Sequence, residues 1–138
     1  MSVFVDTSAL IPLLVETDPD HPAVLAEFKG LLRGGNVLRT TSYVLVEASA
    51  VLQSRIGLPP VRALHESILP VLSMEWVSEQ VHRKGLERHS RENRRSLSLV
   101  DCISFEVMDS EGIRQAFALD EHFDEAGYRT ILRRRGTR

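Results

Sequence analysis

Short β-branched and aromatic runs, separated by stretches of helical apolar spacing, constrain this chain more than any other feature. Val3-Phe4-Val5 ends on Asp6 and reads as a buried first strand. Thr7 or Ser8 is placed to cap a short helix reaching Val15. Asp18-Pro19-Asp20 reads as a turn, followed by a helical pattern through Val24, Leu25, Phe28, Leu31 and Leu32 that Gly34-Gly35 stops. Val37 to Thr41 is a second strand, and Ser42 opens a helix over Tyr43 to Arg55 with Gly57 at its end. Leu58-Pro59-Pro60 reads as a loop, with Pro60 suited to the first turn of a helix running to Leu69. Met74 to Val77 is a third strand and Glu79 to Glu92 a charge-rich amphipathic helix. Asn93 to Ser96 is a polar, basic link to an apolar helix over Leu99 to Asp109, closed near Gly112. Gln115 to Leu119 and Tyr128 to Leu132 complete the set as fourth and fifth strands.

Strands that alternate with helices need crossover connections. The expected fold class is therefore α/β, a three-layer sandwich whose central, mostly parallel sheet of four to five strands carries helices on both faces. The chain has 138 residues, which suits one domain over 1–138, and no repeat or linker divides it. A single cysteine, Cys102, excludes an internal disulfide framework and any CxxC zinc module. No apolar run approaches the roughly 18–20 residues that span a bilayer, and the N-terminus lacks a positive leader, so a soluble, cytoplasmic protein is expected.

Seventeen Lys and Arg against nineteen Asp and Glu give a net charge of −2, which on its own disfavours a strongly basic nucleic-acid binder. The average conceals a gradient: residues 1–82 carry 5 basic and 9 acidic side chains, residues 83–138 carry 12 and 10. The basic residues gather at Arg83 to Arg95 and again at Arg129, Arg133, Arg134, Arg135 and Arg138. Each cluster suits a solvated face or a tail, and the two together suit a phosphate backbone.

Four acids sit where acids are costly. Asp6 ends Val3-Phe4-Val5, Glu47 lies within Tyr43 to Leu52, Asp101 lies within Leu97 to Phe105, and Asp120 follows Ala116-Phe117-Ala118-Leu119. A lone ionised carboxylate in apolar surroundings costs several kcal/mol unless it is partnered, and these runs contain no Arg or Lys. Asp6 and Asp120 end strands, hence share one rim of the sheet, and the helices bearing Glu47 and Asp101 can face it. Ser98, Asp101 and Ser104 share a helix face. Carboxylates crowded in one pocket raise each other's pKa unless a cation sits among them, and an all-oxygen site suits Mg²⁺ or Mn²⁺ rather than zinc.

Phe4-Val5-Asp6-Thr7-Ser8, the embedded Glu47, Ser98-Leu99-Val100-Asp101 and Leu119-Asp120-Glu121-His122-Phe123 together resemble the PIN-domain nucleases. Their order and spacing are most similar to those of the VapC toxins of bacterial and archaeal toxin–antitoxin pairs. The resemblance implies a parallel sheet with helices on both sides, a Mg²⁺- or Mn²⁺-dependent endoribonuclease leaving 5′-phosphate and 3′-hydroxyl ends, and a cognate antitoxin that blocks the site. Carried over by motif, the catalytic and metal-site acids are Asp6, Glu47, Asp101 and Asp120, with Asp124 as a further candidate or a surface acid. One departure stands out: many relatives place Thr or Ser two residues before the last Asp, where this chain has Ala118.

The expected chemistry is hydrolysis by a metal-activated water, with Asp6, Asp101 and Asp120 as direct ligands and Glu47 acting through water or on a second ion. Thr7 and Ser8 would hydrogen-bond near Asp6 or cap the helix, and Ser98 would support Asp101. His122 reads as a helix-start residue or a substrate contact. Arg94 and Arg95, just before the Asp101 helix, are the candidates for the RNA backbone. His82 and His89, seven apart, read as solvated rather than as a zinc pair, and Trp76 as core rather than as a stacking platform. Two other classes compete. A non-catalytic PIN-fold module binding RNA or protein is disfavoured by retention of all four acids. A phosphoryl-accepting receiver domain needs a strand-end lysine, whereas Lys29 and Lys84 lie in helical contexts. The apolar stretches Val44 to Leu52 and Leu58 to Leu72 suit either core burial or a homodimer seam or antitoxin groove.

Overall fold

The computed structural model describes residues 1–132; Arg133, Arg134, Arg135 and Arg138 of the second basic cluster lie outside them. Five strands form one sheet: β1 (Ser2–Val5), β2 (Val37–Thr41), β3 (Ser73–Glu75), β4 (Gln115–Phe117) and β5 (Arg129–Thr130). Their order is β3-β2-β1-β4-β5 and every pairing is parallel. β1 is central, with Phe4 beside Arg39 on one side and Ala116 on the other, and Val3, Phe4 and Val5 are fully buried. That explains an apolar run without alternation, since a central parallel strand is covered on both faces.

Among the described residues, seven α-helices connect the strands: α1 (Thr7–Leu14), α2 (His21–Arg33), α3 (Ser42–Arg55), α4 (Leu58–Ala63), α5 (Glu79–Glu92), α6 (Leu99–Glu111) and α7 (Glu121–Glu125). Right-handed crossovers place α1 to α4 on one face and α5 to α7 on the other, because the chain reverses its direction across the sheet after β3. The packing agrees: α1 lies against α2 and α3, and α5 against α6. Gly85 makes the α5–α6 approach possible, since a Cβ there would collide with the Ile103 side chain and come to 3.2 Å from its Cα.

Several boundaries differ from expectation. Pro59 and Pro60 lie inside the first turn of α4, where the missing N–H has no intrahelical partner to lose. This helix does not continue unbroken to Leu69; it widens to a π turn over Leu64–Ile68 and tightens to a 3₁₀ turn over Leu69–Val71. β3 starts one residue early and stops at Glu75, and β4 and β5 are shorter than their apolar runs, pairing only through Phe117 and Thr130. The apolar excess of α3 goes largely inward: Val44, Leu45, Ala48 and Leu52 are buried, while Val46 is exposed. On the far side of the sheet, Phe105, Phe123 and Tyr128 form an aromatic cluster, with Phe105 and Phe123 edge to face at 5.1 Å. Phe123 is fully buried, which pins the five-residue helix α7 to the core.

Candidate active site

The sheet changes direction at β1: β2 and β3 extend to one side, β4 and β5 to the other. A crevice opens outside the carboxyl ends of β1 and β4, the place where open α/β sheets hold their ligands. Asp6 follows β1 directly and Asp120 comes three residues after β4. Asp6 has extended backbone angles and caps α1, its Oδ2 accepting from the Ser8 amide at 3.1 Å and from Ser8 Oγ at 2.7 Å. The cap is therefore Asp6 and not Thr7 or Ser8, because a capping residue stays extended while both hydroxyl residues already lie in the first helical turn.

The freed hydroxyls link the site's elements. Thr7 Oγ1 donates to Glu47 Oε1 on α3 at 2.6 Å. Ser8 Oγ accepts the amides of Leu119 and Asp120 at 2.9 and 3.2 Å, joining the ends of β1 and β4. Ala118 is fully buried, and the hydroxyl beside the last acid comes from Ser8 instead. Ser98 caps α6 in a reciprocal box: the Asp101 amide donates to Ser98 Oγ at 3.0 Å and the Ser98 amide to Asp101 Oδ2 at 3.4 Å. Box geometry and the positive end of α6 together hold the Asp101 carboxylate in place. Asp120 caps α7 by accepting the His122 amide at 2.9 Å.

Asp6, Glu47, Asp101 and Asp120 all line one cleft of about 570 Å³. Burial raises the Asp6 carboxyl to about 7, against hydrogen bonds from Ser8 that lower it, and the charges of Asp101 and Asp120 push the same way as burial. Asp101 is raised too, first by burial and then by Asp120, with His122 opposing. Carboxylates that disfavour one another's charge in a partly dry pocket are a donor set in need of a cation. Among the described residues the cluster differs from the expected trio: ligand atoms of Asp101, Asp120 and His122 lie within 4.8 Å of one another, and Asp6 and Glu47 are not part of that group. His122 Nδ1 is 2.9 Å from Asp120 Oδ1 and 3.2 Å from Asp101 Oδ2, yet it is buried without the alignment of a hydrogen bond to either. An imidazole nitrogen so placed, beside hard oxygen donors, fits a divalent cation that accepts mixed N and O ligands. His122 was legible as a helix-start residue or a substrate contact but not as a ligand, because the polar Asp120-Glu121-His122 context carries no apolar anomaly.

Three other expectations lie elsewhere. Asp124 is exposed and accepts from Thr130 Oγ1 at 2.9 Å, an α7–β5 tie away from the cleft. Arg94 and Arg95 do not line the acidic cleft: Arg94 pairs with Glu125 at 3.4 Å and borders a separate hollow of about 250 Å³ that shares His122, and Arg95 is exposed. Trp76 is 68% exposed rather than core, because β3 ends at Glu75 and releases it at the sheet edge. A basic residue not anticipated, Arg55 at the end of α3, does line the cleft. His82 is occupied by Tyr43, its Nδ1 lying 2.6 Å from the Tyr43 hydroxyl.

A family model described as the PIN domain matches residues 3–127. The 23S rRNA-specific endonuclease VapC20 of Mycobacterium tuberculosis, in strains CDC 1551 and H37Rv, is 33% identical over 93 residues, covering 67% of this chain and 71% of that protein. A crystal structure of Mycobacterium tuberculosis VapC20, described as a sarcin–ricin loop cleaving toxin, superposes with a TM-score of 0.80 at 30% identity, over 91% of this chain and 95% of that one.

Proposed function

This chain belongs to the PIN-domain family, and from that premise we propose that it is a VapC-like endoribonuclease whose single domain cuts RNA phosphodiester bonds at the acidic cleft. The observation that carries the reading is the convergence of Asp6, Glu47, Asp101 and Asp120 on the topological switch point of the sheet. Asp101 and Asp120, with His122 between them, are the residues that would hold a divalent cation, Mg²⁺ or Mn²⁺, and Asp6 completes the set from β1. When bound, such an ion supplies Lewis-acid stabilisation of a phosphoryl oxygen and lowers the pKa of water beside it.

The chain's own residues do the positioning. Ser8 fixes Asp6 against the β4 end, the Ser98 box fixes Asp101, and Thr7 holds Glu47 toward the cleft. Asp6 carries its proton up to about neutral pH when no counter-charge offsets its burial. Structured ribosomal RNA is the substrate class to test first, given what VapC20 acts on. A cognate antitoxin is the proposed inhibitor and a second copy the proposed partner, both served by exposed Val46, Ile56, Leu58 and Val71. No helix among the described residues is long and apolar enough to cross a membrane, and the proposed site of action is the cytoplasm.

Cleavage of a labelled RNA carrying the 23S sarcin–ricin loop, assayed with Mg²⁺, Mn²⁺ and EDTA, tests the proposal. Asp6→Asn and Asp101→Asn are expected to lose more than the roughly 10–100-fold typical of residues that only support a ligand. Metal-independent cleavage that survives in both variants refutes the mechanism.

A further inference from the structure

α3 runs along one wall of the cleft and presents Glu47, Val51 and Arg55 to it at four-residue intervals. With a rise of about 1.5 Å per residue, Arg55 lies roughly 12 Å beyond Glu47 along the helix axis. Val51, half-buried between them, leaves an uncharged step. Arg55 is exposed and makes no ion pair with any described residue. Arg39, Arg83, Arg88, Arg94 and Arg114 are each held by a carboxylate, and of the described arginines that are not, Arg55 is the one that lines the cleft. Among the described residues that line the cleft, Arg55 and His122 are the only titratable groups that are not acids. The cleft therefore has an acidic end suited to a cation and a guanidinium at a fixed distance from it, free to take an anion in its bidentate fork.

We propose that Arg55 binds a phosphate of the RNA strand away from the scissile one and so sets which phosphodiester reaches the acids. The inference rests on the ribonuclease reading above. The 12 Å offset corresponds to about two to four phosphates, since a stacked strand advances about 3.4 Å per nucleotide and an extended one advances further. The contact replaces the role first assigned to Arg94 and Arg95, which lie off the cleft. A last-turn arginine also complements the helix dipole, and that structural role predicts a different outcome.

Two measurements decide. In the first, binding of a fluorescent single-stranded oligoribonucleotide is followed against salt for Asp101→Asn and for Asp101→Asn with Arg55→Gln. Loss of the contact is expected to weaken binding about tenfold and to reduce the slope of log K against log salt by about 0.7. Arg55→Lys keeps the charge at the helix end but not the fork, and is expected to recover the slope and only part of the affinity. An unchanged slope in Arg55→Gln overturns the proposal, and a dipole role alone moves the melting temperature without moving the slope. In the second, each phosphate of an RNA that the wild-type protein cuts is replaced in turn by a methylphosphonate. Wild type is expected to show a rise in KM at one phosphate about two to four from the cut, a penalty absent in Arg55→Gln. A scan with no such remote position in the unmutated protein also overturns the proposal, whatever the variants' stability. If Asp101→Asn still cleaves, the ribonuclease site has been misassigned; if it does not and Arg55→Gln behaves as wild type, only the role of Arg55 is wrong.

Discussion

At Ser8 one hydroxyl donates to the Asp6 carboxylate at 2.7 Å and accepts the amides of Leu119 and Asp120 at 2.9 and 3.2 Å. Ser8→Ala leaves both amides short of an acceptor at the junction of β1 and β4, a loss of about 1–3 kcal/mol by the usual cost of an unsatisfied buried group. Urea denaturation should show that loss, and cleavage should fall about 10–100-fold because Asp6 loses its orienting partner. His122→Ala is expected to act on the ion rather than on the fold. It removes a nitrogen 2.9 Å and 3.2 Å from two carboxylate oxygens, and Mn²⁺ affinity by calorimetric titration should drop about 10–100-fold with little change in melting temperature. The four acids were legible because each sits in an apolar run that punishes an unpaired charge. His122 was legible as a helix-start residue or substrate contact but not as a ligand, and Arg55 not at all, because a histidine at a helix start and an arginine at a helix end look alike whether or not a cleft passes by. Only the tertiary arrangement, which brings α3 and α7 to the same crevice, separates them from their solvated equivalents.

The α5–α6 pair was readable as two helices but not as a contact. Ser78 caps α5 through the Val81 amide at 3.2 Å, and Gly112 ends α6 with φ 69°, so both helices carry their own start or stop signals. What the pattern does not reveal is why a glycine lies at position 85, inside α5, where helix propensity disfavours it by about 1 kcal/mol relative to alanine. The close approach to Ile103 supplies the reason. Gly85→Ala should therefore destabilise despite its better propensity, since overpacking a tight contact costs about 1–3 kcal/mol. Ile103→Val in the same chain should recover part of the loss, and thermal melts of the single and double variants measure the coupling. Edge elements were the least legible. β3 pairs with β2 alone, so its bounds follow the neighbour's register, Arg39 with Ser73 through Thr41 with Glu75, rather than its own apolar run. The same shift moved Trp76 from an expected core position to an exposed one.

Across the whole molecule, alternation of strands and helices was enough to give the fold class, whereas strand order was not, because nothing local to β4 says that it pairs beside β1 rather than beyond β3. That order creates the crevice, and it also creates a cost: carboxylates gathered at one rim of a buried sheet end. Asp6 is raised from its usual 3.8 to about 7, chiefly by burial, and Asp101 is raised for the same reason with Asp120 adding to it. Between about pH 4 and pH 7 the folded chain thus holds a proton on Asp6 that the unfolded chain has released. Stability that is fully present below pH 4 is lost as pH rises through that window, opposite to the usual behaviour of a salt-bridged carboxylate. In EDTA the melting temperature should fall between pH 4 and pH 7, and Asp6→Asn should flatten the decline. A cation that binds only the folded chain adds about 2.7 kcal/mol at one hundred times its Kd, and it binds better as Asp6 loses its proton. In Mn²⁺, therefore, the decline should shrink or reverse for the wild type and remain flat for Asp6→Asn. Melting curves that decline equally with and without Mn²⁺ would mean that the rim acids are not offset by a bound ion, and the cleft would then need another source of positive charge to bring a phosphodiester to it.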